Sequence, residues 1–153
     1  MSLDQLLLLP PGYGFDASNA APSITVPGAQ SATGNVALAI TGTSIADADS
    51  NTQTLTITTN QSGTISLAST TGLTGSGNGT NSLSYSGSIA DINTALATLT
   101  YTGVTTGTEI ITIGTNDGAG GTDSETISVT VSAPGINSNT FGSFSFSELA
   151  FAG

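Results

Sequence analysis

Residues 87–102 read Gly87-Ser-Ile-Ala-Asp-Ile-Asn-Thr-Ala-Leu-Ala-Thr-Leu-Thr-Tyr-Thr102, and within them the apolar period changes from that of a helix to that of a strand. Ser88 with Asp91 three residues on forms a capping-box-like start, and the carboxylate falls in the first turn, where the helix dipole favours it. Ile89, Ile92 and Leu96 then fall at i, i+3 and i+7, one apolar stripe on a helix of roughly two to three turns. Leu99 and Tyr101 alternate with Thr100 and Thr102, so the helix runs straight into a strand. A stripe of this kind needs a sheet to cover it. The stretch predicts a short helix crossing one end of a β-sandwich.

Outward from this stretch the period is two. Residues 22–27 read as a first edge strand bracketed by Pro22 and Pro27, residues 30–34 as a turn, and Val36, Leu38 and Ile40 as a second strand. Ile45 leads into Asp47-Ala-Asp49. Residues 54–59 alternate around Leu55 and Ile57, and residues 64–68 around Ile65 and Leu67, with Asn60-Gln-Ser-Gly63 as the hairpin turn between them. Residues 71–81 read as a Gly-rich loop, after which Leu83 and Tyr85 begin the strand that enters the helix. Beyond Tyr101, residues 109–114 carry Ile111 and Ile113 on one face. Residues 116–123 form a hairpin loop with two Asp, and residues 125–132 alternate around Ile127, Val129 and Val131. Seven or eight strands at this spacing predict an all-β, antiparallel sandwich over residues 22–133. Its single core should join Ile89, Ile92, Leu96, Leu99 and Tyr101 to Leu55, Ile57, Ile111, Ile113, Ile127 and Val129.

Composition agrees with that class and removes many functions. The 153 residues are dominated by Gly, Ser, Thr and Asn, with Ile, Val, Leu and Ala as the main apolar types. Cysteine is absent, which removes disulfides, thiolate chemistry and Cys-based zinc sites. There is no Lys, Arg or His against ten carboxylates, a net charge of −10. Nucleic-acid binding, which needs cations to displace counterions, is excluded, and an anionic membrane surface would repel the chain. A His-based triad, a Lys Schiff base and an Arg phosphate clamp are equally impossible. Carboxylate-only catalysis stays open in principle, but no spacing supports it and the aromatic residues of a sugar cleft are few. The chain therefore reads as non-enzymatic. With no cationic side chain, each carboxylate must face water, accept backbone N–H groups or bind a hard cation.

Both ends depart from the sandwich pattern. Residues 1–21 read as a docking arm: Leu6, Leu7, Leu8 and Leu9 precede Pro10-Pro-Gly-Tyr13-Gly-Phe15, and no positive region marks a secretory signal. Residues 134–153 hold four of the five phenylalanines, Phe141, Phe144, Phe146 and Phe151, as a C-terminal arm or added strand. Residues 143–147 alternate with Phe144 and Phe146 on one face. A segment so apolar must pair with something. The arm residues Leu6, Leu7, Leu8, Leu9, Tyr13, Phe15, Phe141, Phe144, Phe146 and Phe151 are the expected interface.

Residues 23–132 resemble the cadherin-like, Ig-like repeat of large bacterial surface proteins and adhesins. The resemblance rests on Ile45-Ala-Asp-Ala-Asp49 before a strand, on residues 87–101, and on Asn116-Asp-Gly followed by Thr126-Ile-Ser-Val-Thr-Val131. It implies an Ig-like sandwich and a calcium site built by Asp47, Asp49 and Asp117, with Asp123 or Asp16 as further ligands, Asp16-Ala-Ser-Asn19 being a degraded form of the family's linker. The plain reading of the same residues is Asx-turns that cap loop backbone. Such repeats usually stand in tandem arrays, whereas one copy with two apolar ends has the form of an assembly subunit. By analogy of fold, the expectation is a virion decoration, cement or fibre protein at the virion surface, contacting other protein subunits, either copies of itself or a capsid-type shell. The alternative is a calcium-binding extracellular adhesin or matrix module at a bacterial cell surface.

Overall fold

The computed structural model describes residues 18–135. Among them, strands and one helix follow in the order β1 (Ser23–Thr25), β2 (Gln30–Thr33), β3 (Ala37–Ala39), β4 (Ser44–Ala46), β5 (Thr52–Thr59), β6 (Thr64–Leu67), β7 (Thr74–Ser76), β8 (Ser82–Ser88), α1 (Ile89–Leu96), β9 (Leu99–Thr102), β10 (Gly107–Asn116) and β11 (Thr122–Ser132). They form a six-stranded sheet, β2-β11-β10-β5-β8-β7, a three-stranded sheet, β3-β9-β6, and the pair β1-β4. The chain is all-β and sandwich-like, with a single core between the layers.

The alternation read in the sequence becomes burial. In β5, Leu55 and Ile57 point inward while Thr56 and Thr58 face solvent; Ile111 and Ile113 of β10 and Ile127, Val129 and Val131 of β11 fill the same layer. Ile65, Leu67, Leu99 and Tyr101 close the core from the opposite sheet. Every residue of the expected core is in it except Ile89, which is half-buried. Ile89 is the first helical residue and sits at the rim, its N–H bonded to Asn51 O at 2.9 Å. The stripe that packs is Ile92, Ala95 and Leu96, continued by Leu99.

α1 starts as its sequence demands. The Ser88 hydroxyl accepts the Asp91 N–H at 3.1 Å, one of the donors a first turn leaves unpaired, and donates to Asp91 Oδ2 at 2.7 Å. Asn93 fastens the helix to β4 by binding both the N–H and the C=O of Ile45, at 2.8 and 2.9 Å.

Three expectations are corrected. Residues 30–33 are a strand rather than a turn, because parallel pairing with β11, Ala32 opposite Val131, overrides the weak strand propensity of Gln-Ser-Ala. The Gly-rich stretch 71–81 contains β7, held antiparallel against β8. Finally, β5 and β6 do not form a hairpin. Asn60 stays bonded to β10 through Ile110, and the chain then crosses at Gly63 to the other sheet. Gly63 is required there: a Cβ would lie 2.6 Å from Tyr101 Cε2 and 2.7 Å from Glu109 Oε1.

Candidate functional site

The acidic residues singled out in the sequence come together at one end of the sandwich, where residues 18–21 meet the β4–β5 loop and the β10–β11 hairpin. Asn19 donates its side-chain amide to Asp117 Oδ2 at 2.7 Å, and the Ala20 N–H donates to Asp49 Oδ2 at 2.8 Å. Asp47 Oδ1 accepts the N–H groups of Asp49 and Ser50, and its Oδ2 accepts from Gln53 Nε2 at 2.6 Å. Asp117 Oδ1 accepts from Ala119 and Gly121, the Asx-turn that closes the hairpin. Asp123 Oδ2 takes the Ile24 N–H at 2.7 Å and so ties β1 to β11.

These bonds set the acidity of the cluster. The Asp49 N–H holds the Asp47 carboxyl below the ordinary carboxylate range, and the Asn19 amide does the same for Asp117, against the opposing effect of the Asp47 charge nearby. The oxygen-only donor set suits a hard cation in type. Five of the six oxygens of Asp47, Asp49 and Asp117 accept N–H donors. Among the described residues, no three acidic side chains converge to hold a metal. The three aspartates act as caps that join the incoming chain to two loops. A groove of about 340 Å³ beside them is lined by Ala21, Ser23, Ala46, Asp47 and Ala48, so its one titratable group is a carboxylate fixed by three N–H donors.

A second polar centre lies inside the core. Glu109 is 1% exposed; its Oε1 accepts the Gly63 N–H at 3.1 Å and its Oε2 accepts the Tyr101 hydroxyl. Burial, and then the bond to Glu109, hold the Tyr101 phenol well above its ordinary range. The signal was present in the sequence: Glu109 falls at the inward parity of Ile111 and Ile113. Beside the acidic end, buried Thr115 donates to buried Gln53 Oε1 at 2.9 Å, whose amide nitrogen serves Asp47.

The other expected site residues, Leu6, Leu7, Leu8, Leu9, Tyr13, Phe15, Asp16, Phe141, Phe144, Phe146 and Phe151, lie outside the described residues. What the described surface shows is how little apolar area the sandwich itself leaves. Its exposed large hydrophobic residues are Val36 and Val104, 55% and 52% exposed. Each follows in sequence a residue of one backbone bond, Asn35 N–H to Gly103 O at 2.8 Å, and the chain leaves the fold nearby, with Gly34 N bonded to Ser132 O at 2.8 Å. No family model matches the chain, and no curated protein matches it.

Proposed function

We propose that the chain is a non-enzymatic structural subunit of an ordered assembly, an Ig-like module of the virion decoration, cement or fibre kind, fastened to other protein subunits through its apolar ends. The observation that supports this is a core that the described residues build among themselves. Ile, Leu, Val and Tyr side chains of residues 24–131 pack together between the sheets, which leaves the four leucines of residues 6–9 and the phenylalanines of residues 141–151 for attachment. Apolar segments that a sandwich does not need are buried most economically between chains, where a specific interface covers about 800 Å² per partner. The body holds seven of the chain's ten carboxylates, all but Glu109 outside the core, and faces outward, which keeps the assembly soluble. Neither nucleic acid nor membrane insertion belongs to this reading. The alternative, a calcium-binding adhesin or matrix module, has Asp47, Asp49 and Asp117 at one end, each accepting N–H donors.

Deletion tests the proposal. Chains lacking residues 1–17, or residues 136–153, should stay folded with a cooperative melt and sediment as monomers, while the full chain forms multimers or binds a capsid-type shell. Truncated chains that assemble like the full chain but melt much lower would make the ends pieces of the core and end the proposal.

A further inference from the structure

The sheet edges of the described fold differ in how they are closed. The outer edge of β6 is covered by residues 78–80: Ile65 N bonds to Thr80 O, Gly79 N to Ile65 O, and the Asn78 amide grips both the N–H and the C=O of Leu67. β7 is three residues long, interrupted by Gly75, and the turn before it lies against the Asp91 carboxylate at Gly72. β2 is a polar edge, and the Gln30 side chain folds back onto Gly28 O. β3 has none of these protections. It pairs with β9 through Leu38 opposite Tyr101, and Ile40 N bonds to Leu99 O at 2.9 Å. By the alternation of an antiparallel ladder, Leu38 and Ile40 face β9 and the N–H and C=O groups of Ala37 and Ala39 face outward. Among the described residues these groups have no backbone partner outside the ladder.

That edge is also apolar and uncharged. Val36 is exposed, Leu38 is half-buried against the core, and no charged residue occurs from Ser18 to Ala46. A long-lived bare edge of this composition is a pairing site. In a chain of net charge −10, it is also a place where a second copy can approach without meeting a carboxylate on the strand it touches.

We infer that the β3 edge receives residues 143–147 of a second copy, added as an extra strand to the three-stranded sheet; this rests on the assembly role proposed above. The segment Ser143-Phe-Ser-Phe-Ser147 is uncharged and alternating, so its backbone can bond to Ala37 and Ala39 while Phe144 and Phe146, on one face, lie over Val36 and Leu38. Its chain leaves the fold at the end where β3 begins, since Ser132 O binds Gly34 N and Pro134 packs against Gly34. Residues 136–142 reach at most about 25 Å, enough to cross to an adjoining module. A neighbouring copy can offer the segment antiparallel to β3, the ladder that is more stable per residue.

The absence of cysteine makes a cross-linking test clean. Ala37→Cys chains are mixed with size-tagged Ser145→Cys chains and oxidised. The expected product is a heterodimer, several-fold above that formed when Ser76→Cys on β7 replaces Ala37→Cys. A yield no higher than this control overturns the inference. So does a double variant, Ala37→Cys with Ser145→Cys, that closes into an intrachain disulfide rather than linking copies. Ala39→Pro supplies an independent reading, because it removes an outward N–H and no bond to β9. It should lower self-association several-fold at an unchanged melting temperature, and unchanged association in folded protein counts against the edge. If the truncations above abolish assembly while cross-linking fails, only the assignment to β3 falls; if the full chain never assembles, the structural role falls with it.

Discussion

Tyr101 and Glu109 show what a chain without cations does with a carboxylate it buries. Glu109 has no counter-charge, and its two oxygens are served by one hydroxyl and one backbone N–H, the latter within reach because residue 63 has no Cβ. Removing the hydroxyl leaves a buried acceptor with a missing donor. Tyr101→Phe should therefore cost about 1.5–3 kcal/mol in chemical denaturation, the range for hydrogen bonds to charged groups. The same pair sets the alkaline limit. The folded-state pKa of Tyr101 is raised above its ordinary 10.0, so its contribution is complete below that pH and is lost as pH rises toward the folded value. Tyrosinate absorbance from Tyr101 should appear only together with unfolding, and a titration that completes in still-folded protein would contradict its burial. The half-buried aspartates behave in the opposite sense. Asp47 and Asp117 have lowered folded-state values, so their contribution is present above 3.8 and disappears as pH falls through the lowered values. Melting temperature should decline on acidification from roughly pH 5 to pH 2, and less so in Asp117→Asn. Because no three acidic side chains converge among the described residues, millimolar calcium against chelator should leave the melting temperature unchanged; a clear upward shift would establish a cation site.

At the scale of elements, α1 ties the two layers at one end, with Ile92, Ala95 and Leu96 buried and Asn93 holding β4. Leu96 is 0% exposed, and Leu96→Ala should cost about 2–5 kcal/mol. A loss below about half a kcal/mol would place the helix on the surface rather than in the core. This element was legible because cap, stripe and following strand are all local features: Ser88, Asp91, Ile92 and Leu96 stand within nine residues. Strands of strict alternation, such as β5 and the β10–β11 hairpin, were legible for the same reason. The misread elements depend on partners far away in the chain. Residues 30–33 become a strand by pairing with β11, a hundred residues later, and the crossing from β5 to β6 runs past Glu109, which accepts the Gly63 N–H. At the acidic end, Asp47, Asp49 and Asp117 were picked out by residue type. The Asx-turn donors Asp49, Ser50, Ala119 and Gly121 are local, whereas the Asn19 amide and the Ala20 N–H come from another segment and could not be read from spacing.

For the whole molecule, the decisive geometry is that the chain enters and leaves at opposite ends. Asn19 and Ile24 are bonded to Asp117 and Asp123 near the start of β11, and the exit at Ser132 lies at its other end. Eleven residues of strand separate the two, about 35 Å. An attachment through both ends would therefore string copies head to tail, a heterologous contact that closes into a ring or continues as a fibre according to the rotation between copies. The electrostatics of such a string are fixed by composition. With ten carboxylates and no cationic side chain, two copies can form no ion pair between side chains, and their bodies repel at long range. Salt shortens the screening length from about 30 Å at 0.01 M to about 8 Å at 0.15 M, and it leaves apolar burial in place. Self-association of the full chain, followed by sedimentation, should therefore strengthen as sodium chloride is raised across that range, and the gain should vanish in chains lacking residues 136–153. Weakening with salt would mean that the contacts are made by opposite charges. A chain of this composition cannot supply those between side chains, so that outcome would overturn attachment of copies by apolar burial.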